Sequence, residues 1–319
     1  MRILVVGAGA IGGYFGGRLL QAGRDVTFLV RPRRALELSR DGLVIQSPRG
    51  DLKLHAPPTV LAQRIAGSYD LILLSCKAYD LAAAVDSMAA AVGPATLILP
   101  VLNGMQHLES LNRRFGAARI LGGLCIIAAT LDSQRRIVHL NDHDTLVFGE
   151  RTDAPSAAGL AAEAALCGAG FNARRSGRIL QEMWEKWVLL ATLAGSTCLL
   201  RASIGDIMAS PGGAELIRAL LEECRAIAAA AGYAPQAAFL EMARAALTAK
   251  DSPLTASMLR DVENHAPVEA DHVLGDLLRR RDELHLGRAE PSPLAIAYTH
   301  LKAYEARRAR TAGAAHDAG

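Results

Sequence analysis

The sequence predicts an α/β domain over residues 1–177 followed by an all-α domain over 178–319. Three observations carry that expectation. The chain opens on a short apolar strand, Arg2 to Val6, that runs straight into a glycine-rich turn and a helical repeat. Strand-like apolar runs then alternate with alanine-rich helical stretches as far as Ser176. From Ile179 onward the strand patterns stop, and apolar residues recur at helical spacing.

Gly7-Ala8-Gly9-Ala10-Ile11-Gly12 follows the first strand at once, and Ile11, Phe15 and Leu19 repeat at helical spacing behind it. Between a strand and a helix, G-x-G-x-x-G is a dinucleotide signature of the Rossmann type; elsewhere it is only a glycine-rich turn. Gly7 permits the tight turn, Gly9 lets the main chain approach a pyrophosphate, and Gly12 lets helix and strand pack closely. The helix N-terminus offers phosphates its free N–H groups and the positive end of its dipole. Gly13, Gly16 and Gly17 read as packing positions, because glycine inside a helix otherwise costs about 1 kcal/mol.

Composition narrows the function. A chain of 319 residues is long enough for two cores, and 51% hydrophobic with 21% charged residues is ordinary for a soluble globular protein. No apolar run reaches the roughly 18 residues that span a bilayer, so no membrane role is expected. The first residues read as a strand of the fold rather than a signal peptide. Cys76, Cys125, Cys167, Cys198 and Cys224 are scattered without metal-ligand spacing. That spacing gives no reason to expect a metal, and the odd number with no export signal favours reduced thiols in a cytoplasmic setting. A net charge of +3 is too small to indicate nucleic acid. Arg307, Arg308 and Arg310 lie in a small-residue tail that reads as frayed.

Asp25 to Val30 reads as the second strand of a βαβ unit. An NAD site carries an acid at the end of that strand for the ribose 2′-OH. Here Arg31-Pro32-Arg33-Arg34 follows instead. A basic turn opening a helix with proline at its first position explains those residues locally. At the ribose position, however, guanidinium groups suit a 2′-phosphate, which selects NADPH with Arg31 as the principal contact. Residues 43–55 read as two short strands joined by Ser47-Pro48-Arg49-Gly50. Asp70 to Ser75 and Thr96 to Pro100 are further buried strands, followed by loops containing Lys77 and Asn103-Gly104. Taken alone these are a surface lysine and an ordinary turn. At the carboxyl ends of parallel strands they face cofactor and substrate.

The runs IIAATL, IVHL and TLVFG between Ile120 and Gly149 suggest an antiparallel extension of the sheet. A helix near 157–168 and a strand near Asn172 to Ser176 close the first domain. Beyond it, Ile179–Leu200, Ala214–Ala231, Pro235–Leu247, Val268–Leu286 and Pro293–Ala306 read as helices. Lys186, Leu190 and Ala194 share one face of the first of these. A lysine at the edge of an apolar stripe either reaches out to water or, desolvated, acts as a proton donor to a developing alkoxide. Ser257-Met258-Leu259-Arg260-Asp261 reads as a cap or loop, and Glu269 as an acid near a helix N-terminus.

Together these segments resemble one family. GAGAIGGYFGGRL, Cys-Lys-Ala-Tyr, the Asn-Gly loop, Trp-x-Lys, and Ser-Met-Leu-x-Asp with a glutamate twelve residues after the serine occur in this order. The chain is thereby similar to the ketopantoate reductases (2-dehydropantoate 2-reductases) from residue 1 to about residue 305. The resemblance implies a Rossmann domain, a helical domain, an active cleft between them, and hydride transfer from NADPH to C2 of a 2-oxo acid, as in pantothenate biosynthesis. It implies Lys186 as the general acid, Glu269 and Ser257 at the substrate, and Asn103 at nicotinamide and substrate. Lys77 would lie by the cofactor. A monomer or homodimer is expected.

One departure bears on specificity. Where the family carries asparagines after its lysine and before a later glycine, this chain has Leu190, Ala194 and Ile204. A buried substrate hydroxyl left unpaired costs about 1–3 kcal/mol, so the pocket should favour a less polar 2-oxo acid. The rival expectations are a 3-hydroxyacid dehydrogenase of the 6-phosphogluconate dehydrogenase type, which also uses a helix lysine, and a non-catalytic NADPH-binding protein.

Overall fold

Apolar residues on both faces of a strand demand cover on both faces, and β1 (Arg2–Val6) meets that demand. Its residues Ile3 to Val6 are all buried. The computed structural model describes residues 1–152, 156–287 and 291–317. By its contacts the chain divides into two units: Met1–Leu102 with His107–Ile179, and Asn103–Gln106 with Leu180–Gly319.

In the first unit, β1 leads into α1 (Ala10–Gln21), β2 (Asp25–Leu29) and α2 (Pro32–Asp41). The hairpin of β3 (Leu43–Gln46) and β4 (Leu52–Leu54) follows, then β5 (Thr59–Val60), β6 (Tyr69–Leu74), α3 (Leu81–Met88) and β7 (Val92–Pro100). After α4 (Gln106–Phe115), which begins at the boundary between the units, come β8 (Gly122–Leu131), β9 (Ile137–Gly149), α5 (Ala157–Leu166) and β10 (Asn172–Arg175). Five strands form an all-parallel sheet in the order β5-β2-β1-β6-β7. β1 is thus central, with Ile3 opposite Val26 on one side and Leu71 on the other.

The expected antiparallel extension of this sheet is not what forms. IVHL and TLVFG are parts of one thirteen-residue strand, β9, which pairs antiparallel with β8 in a second sheet of order β10-β9-β3-β4. β9 finds β3 as a parallel neighbour, Ile45 opposite Ile137, across some ninety residues of chain that no local pattern reveals. Helix α1 contacts both sheets, and its glycines make that possible. A Cβ on Gly16 would stand 2.6 Å from Phe28 of β2, and one on Gly13 2.5 Å from Ile137 of β9. Tyr14 donates a buried 3.0 Å hydrogen bond to Asp144 of β9.

In the second unit every described element is helical: α6 (Ile179–Leu200, whose first residue is counted with the first unit), α7 (Ile204–Ala209), α8 (Gly213–Ala230), α9 (Ala237–Leu247), α10 (Ser257–Glu263), α11 (Asp276–Glu283) and α12 (Pro293–Asp317). α8 packs against α11 and α12, and Arg281 of α11 pairs with Glu223 of α8 at 3.1 Å, both nearly enclosed. Three expectations are corrected. Ser257–Asp261 is helix, with Ala256 as its N-cap. The segment Val268–Leu286 begins not as a regular helix but as a π-helical turn, Asp271–Gly275. Arg307, Arg308 and Arg310 belong to α12 rather than to a frayed tail, and Arg308 Nε donates to the His265 carbonyl at 2.9 Å. α7, six residues long, is too short to show an apolar period, and its capping box, Ser203 with Asp206, is the signal that marks it.

Candidate active site

The turn after β1 is built to receive a polyanion. Gly7 has φ +93°, the left-handed region that a side chain disfavours, and its N–H donates to Leu29 O at 3.0 Å, tying the turn to β2. Gly12 must be glycine for lack of space: a Cβ there would lie 2.1 Å from Ser75 Oγ and 2.3 Å from Gly7 O. Ser75 Oγ in turn donates to Val6 O at 3.1 Å. Gly9 is the opposite case. It caps α1 without a side-chain hydrogen bond, and the space where its Cβ would stand is open. A group can therefore come up against the main chain where the first helical N–H groups lack intrahelical acceptors. Ala8 is buried, while Ala10 and Ile11 are half-buried in the first turn. Such a cradle fits the diphosphate of a dinucleotide.

β2 and β6 flank β1, and the loops leaving their carboxyl ends carry the charged groups. Arg31 is the N-cap of α2, with Pro32 at the first helical position. Its Nη2 donates to Asp80 Oδ1 at 2.6 Å, with side-chain exposures of 74% and 39%. Arg34 turns the other way, back onto the glycine turn, where Nε donates to Ala8 O at 3.3 Å and Nη1 to Glu37 at 3.1 Å. Arg33 also pairs with Glu37, which lies near Arg135 as well. With the Arg34 hydrogen bond as the largest cause, the Glu37 carboxyl is held below its ordinary value. Lys77 is half-buried and opens the 3-10 turn that ends at Asp80.

The second unit gathers a different set. Lys186 stands mid-turn on α6, half-buried, and its Nζ donates to Asn103 Oδ1 at 3.2 Å. The Asn103 loop is held by its glycine: Gly104 has φ +75°, and a Cβ there would be 2.4 Å from His272 O. Next to Lys186, Trp187 is 1% exposed and donates Nε1 to Val273 O at 2.9 Å. The π-helical turn thus holds both the Asn103 loop and α6, a placement in keeping with the association of π-bulges with functional sites. Glu269, 8% exposed, lies just before that turn. Burial is the main influence on the His272 imidazole, holding it below its ordinary value against the opposing pull of Glu269, Asp276 and Asp271.

The sequence-derived site residues do not all share one environment. Asn103 meets Lys186 across 83 positions of chain. Leu190 is half-buried, whereas Ala194 at 3% and Ile204 at 0% exposure are sealed in the helical interior. Ser257 is the exposed first residue of α10. Two features escaped the sequence: the Asp80 partner of Arg31, and the π-helical turn under Gly104. For the first, an acid six residues beyond the strand that neighbours β1 was the only clue. Among the described residues no group of three or more His, Cys, Asp or Glu side chains could hold a metal ion. No described helix is long and apolar enough to cross a membrane.

Residues 3–153 match the family model described as ketopantoate reductase PanE/ApbA, and residues 178–287 match its C-terminal counterpart. An uncharacterized oxidoreductase of Bacillus subtilis, YkpB, is 35% identical over 97% of this chain and 100% of its own length. A 2-dehydropantoate 2-reductase of Archaeoglobus fulgidus is 26% identical over 88% of this chain and 91% of its own. Among solved structures, the 2-dehydropantoate 2-reductase of Geobacter metallireducens superposes with a TM-score of 0.85 at 27% identity, covering 95% of this chain and 99% of that one.

Proposed function

The chain belongs to the ketopantoate reductase family, and from that premise we propose that it reduces a 2-oxo acid to the 2-hydroxy acid with NADPH as reductant. The observation that carries this reading is the hydrogen bond from Lys186 Nζ to Asn103 Oδ1 at 3.2 Å. A half-buried ammonium on an apolar helix, held by a side-chain amide, is a positioned proton donor rather than a solvated surface charge.

In this reading the main chain of Gly7, Ala8, Gly9, Ala10, Ile11 and Gly12 binds the diphosphate, Arg31 takes the 2′-phosphate, and Lys77 lies beside the cofactor. When bound, the reduced nicotinamide supplies the hydride that reaches C2. Lys186 hydrogen-bonds the keto oxygen and delivers a proton from Nζ as negative charge develops there, so the oxygen stays on C2 as a neutral hydroxyl. Asn103 orients Nζ and contacts nicotinamide and substrate, while Glu269 and Ser257 position the acid. Leu190, half-buried on α6, offers hydrocarbon where the family offers an amide, which supports a less polar acid than ketopantoate; Ala194 and Ile204 are sealed in the interior and act on the pocket only through the packing behind it. The five cysteines form no disulfide, in keeping with a cytoplasmic enzyme.

The test is NADPH consumption with ketopantoate set against branched and longer apolar 2-oxo acids. The expected result is a kcat/KM at least about tenfold higher for the apolar acids, equivalent to one lost buried hydrogen bond. A tenfold preference for ketopantoate removes the substrate shift and leaves the reductase. Absence of turnover with every 2-oxo acid removes the reductase itself.

A further inference from the structure

We infer that Asp80 sets the preference between the phosphorylated and the unphosphorylated dinucleotide by partly neutralising Arg31. The inference rests on the reading that the Gly7–Gly12 turn binds a nicotinamide dinucleotide, and it adds a residue that opposes the arginine. β1 ends in the glycine turn, and its two neighbours in the sheet, β2 and β6, send out Arg31 and Asp80. Adjacent strands lie about 4.8 Å apart, so the two side chains join across a gap of about two strand spacings above the end of β1. The 2.6 Å contact is therefore an ion pair laid over the dinucleotide turn, not one placed at random on the surface.

The chemistry follows from the charges. An acid at the ribose edge accepts hydrogen bonds from the 2′-OH, whereas a guanidinium there binds a 2′-phosphate. This chain carries both, on different loops. A 2′-phosphate bears a charge of about −2 at neutral pH. To reach the Arg31 fork it must share that fork with the Asp80 carboxylate, which already occupies part of it. A 2′-hydroxyl meets no such opposition and can donate to Asp80. Local structure does not require the carboxylate: Asp80 occupies the N-cap position of α3, yet its side chain makes no capping hydrogen bond. With both side chains well exposed, the pair adds little to the stability of the fold.

The experiment is direct measurement of NADPH and NADH dissociation constants, by nicotinamide fluorescence, for the wild-type chain, Asp80→Asn, Arg31→Ala and the double variant. Asn keeps the size of Asp and its N-cap preference. Asp80→Asn is expected to tighten NADPH by about three- to tenfold and to change NADH by less than about twofold, the NADPH gain shrinking as salt is raised. In the Arg31→Ala background the same substitution is expected to leave the NADPH/NADH ratio nearly unchanged. An unaltered or weakened NADPH affinity in Asp80→Asn overturns the inference while the dinucleotide site stands. A gain that persists without Arg31 overturns it too, because the aspartate would then act on the phosphate alone. If the wild-type chain binds neither dinucleotide, the reading beneath the inference falls and takes it along.

Discussion

The glycine turn of the first unit and the Lys186 group of the second are two ways of making a polar site. The first is made of main chain. Six consecutive residues, a positive φ at Gly7 and a missing Cβ at Gly12 present N–H groups without any side chain being positioned. The second is made of side chains brought from distant segments: Asn103 and Lys186 beside the Asp271–Gly275 turn, fastened by Gly104 and by the Trp187 indole. A main-chain site needs only the right residues in a row. A side-chain site depends on packing that holds several elements in register, so it is the more easily disturbed and the harder to read.

That contrast is sharpest in Lys186→Ala. If the lysine is the proton donor, kcat falls by about 10²- to 10⁴-fold, while the dinucleotide dissociation constant, measured by fluorescence, stays within about twofold. Loss of dinucleotide binding would instead join the two regions and break the assignment.

The two glycine substitutions come next. Gly12→Ala sets a Cβ against Gly7 O, a main-chain atom that cannot step aside, so the turn must open. Dinucleotide affinity is expected to fall by about tenfold or more, with about 1–3 kcal/mol lost from stability on urea unfolding. Gly104→Ala meets the His272 carbonyl and a left-handed backbone conformation. Its expected cost is a similar 1–3 kcal/mol or so in stability, but its kinetic effect falls on kcat, by about tenfold, through displacement of Asn103 from Lys186. Equal loss of dinucleotide affinity in both variants would erase the difference between the two regions.

The smallest effect concerns the support of the glycine turn by Arg34. Glu37 is held below its ordinary value of 4.5 chiefly by the Arg34 hydrogen bond. A carboxyl with a depressed folded value binds fewer protons folded than unfolded at mildly acid pH. It therefore stabilises the fold above 4.5, and that contribution is lost as pH falls through the folded value. Glu37→Gln should be slightly less stable than wild type at pH 7, and the difference should shrink progressively as the pH is taken below the ordinary glutamate value of 4.5. Curves that stay parallel from pH 7 to 3 would show that the carboxylate adds nothing through its charge.

Local sequence made much of this legible. The glycine turn could be read because its residues are adjacent and their context, strand before and helix behind, lies within twenty positions. The long helices α6, α8 and α12 could be read because each has enough turns to show its apolar period. What stayed hidden has a common cause. α10 is seven residues long and depends on neighbours rather than on its own period. The second sheet joins β9 to β3, and strand pairing leaves no mark on either strand alone.

By itself, then, the amino-acid order determined an α/β dinucleotide unit, a helical unit and the family to which they belong, because turn chemistry and periodicity are properties of neighbouring residues. Only the folded chain decided that Asp80 lies against Arg31, that Asn103 lies against Lys186, and that Ala194 and Ile204 are sealed within the interior. Contacts between residues 49 or 83 positions apart are set by how elements pack, and packing is a property of the whole unit.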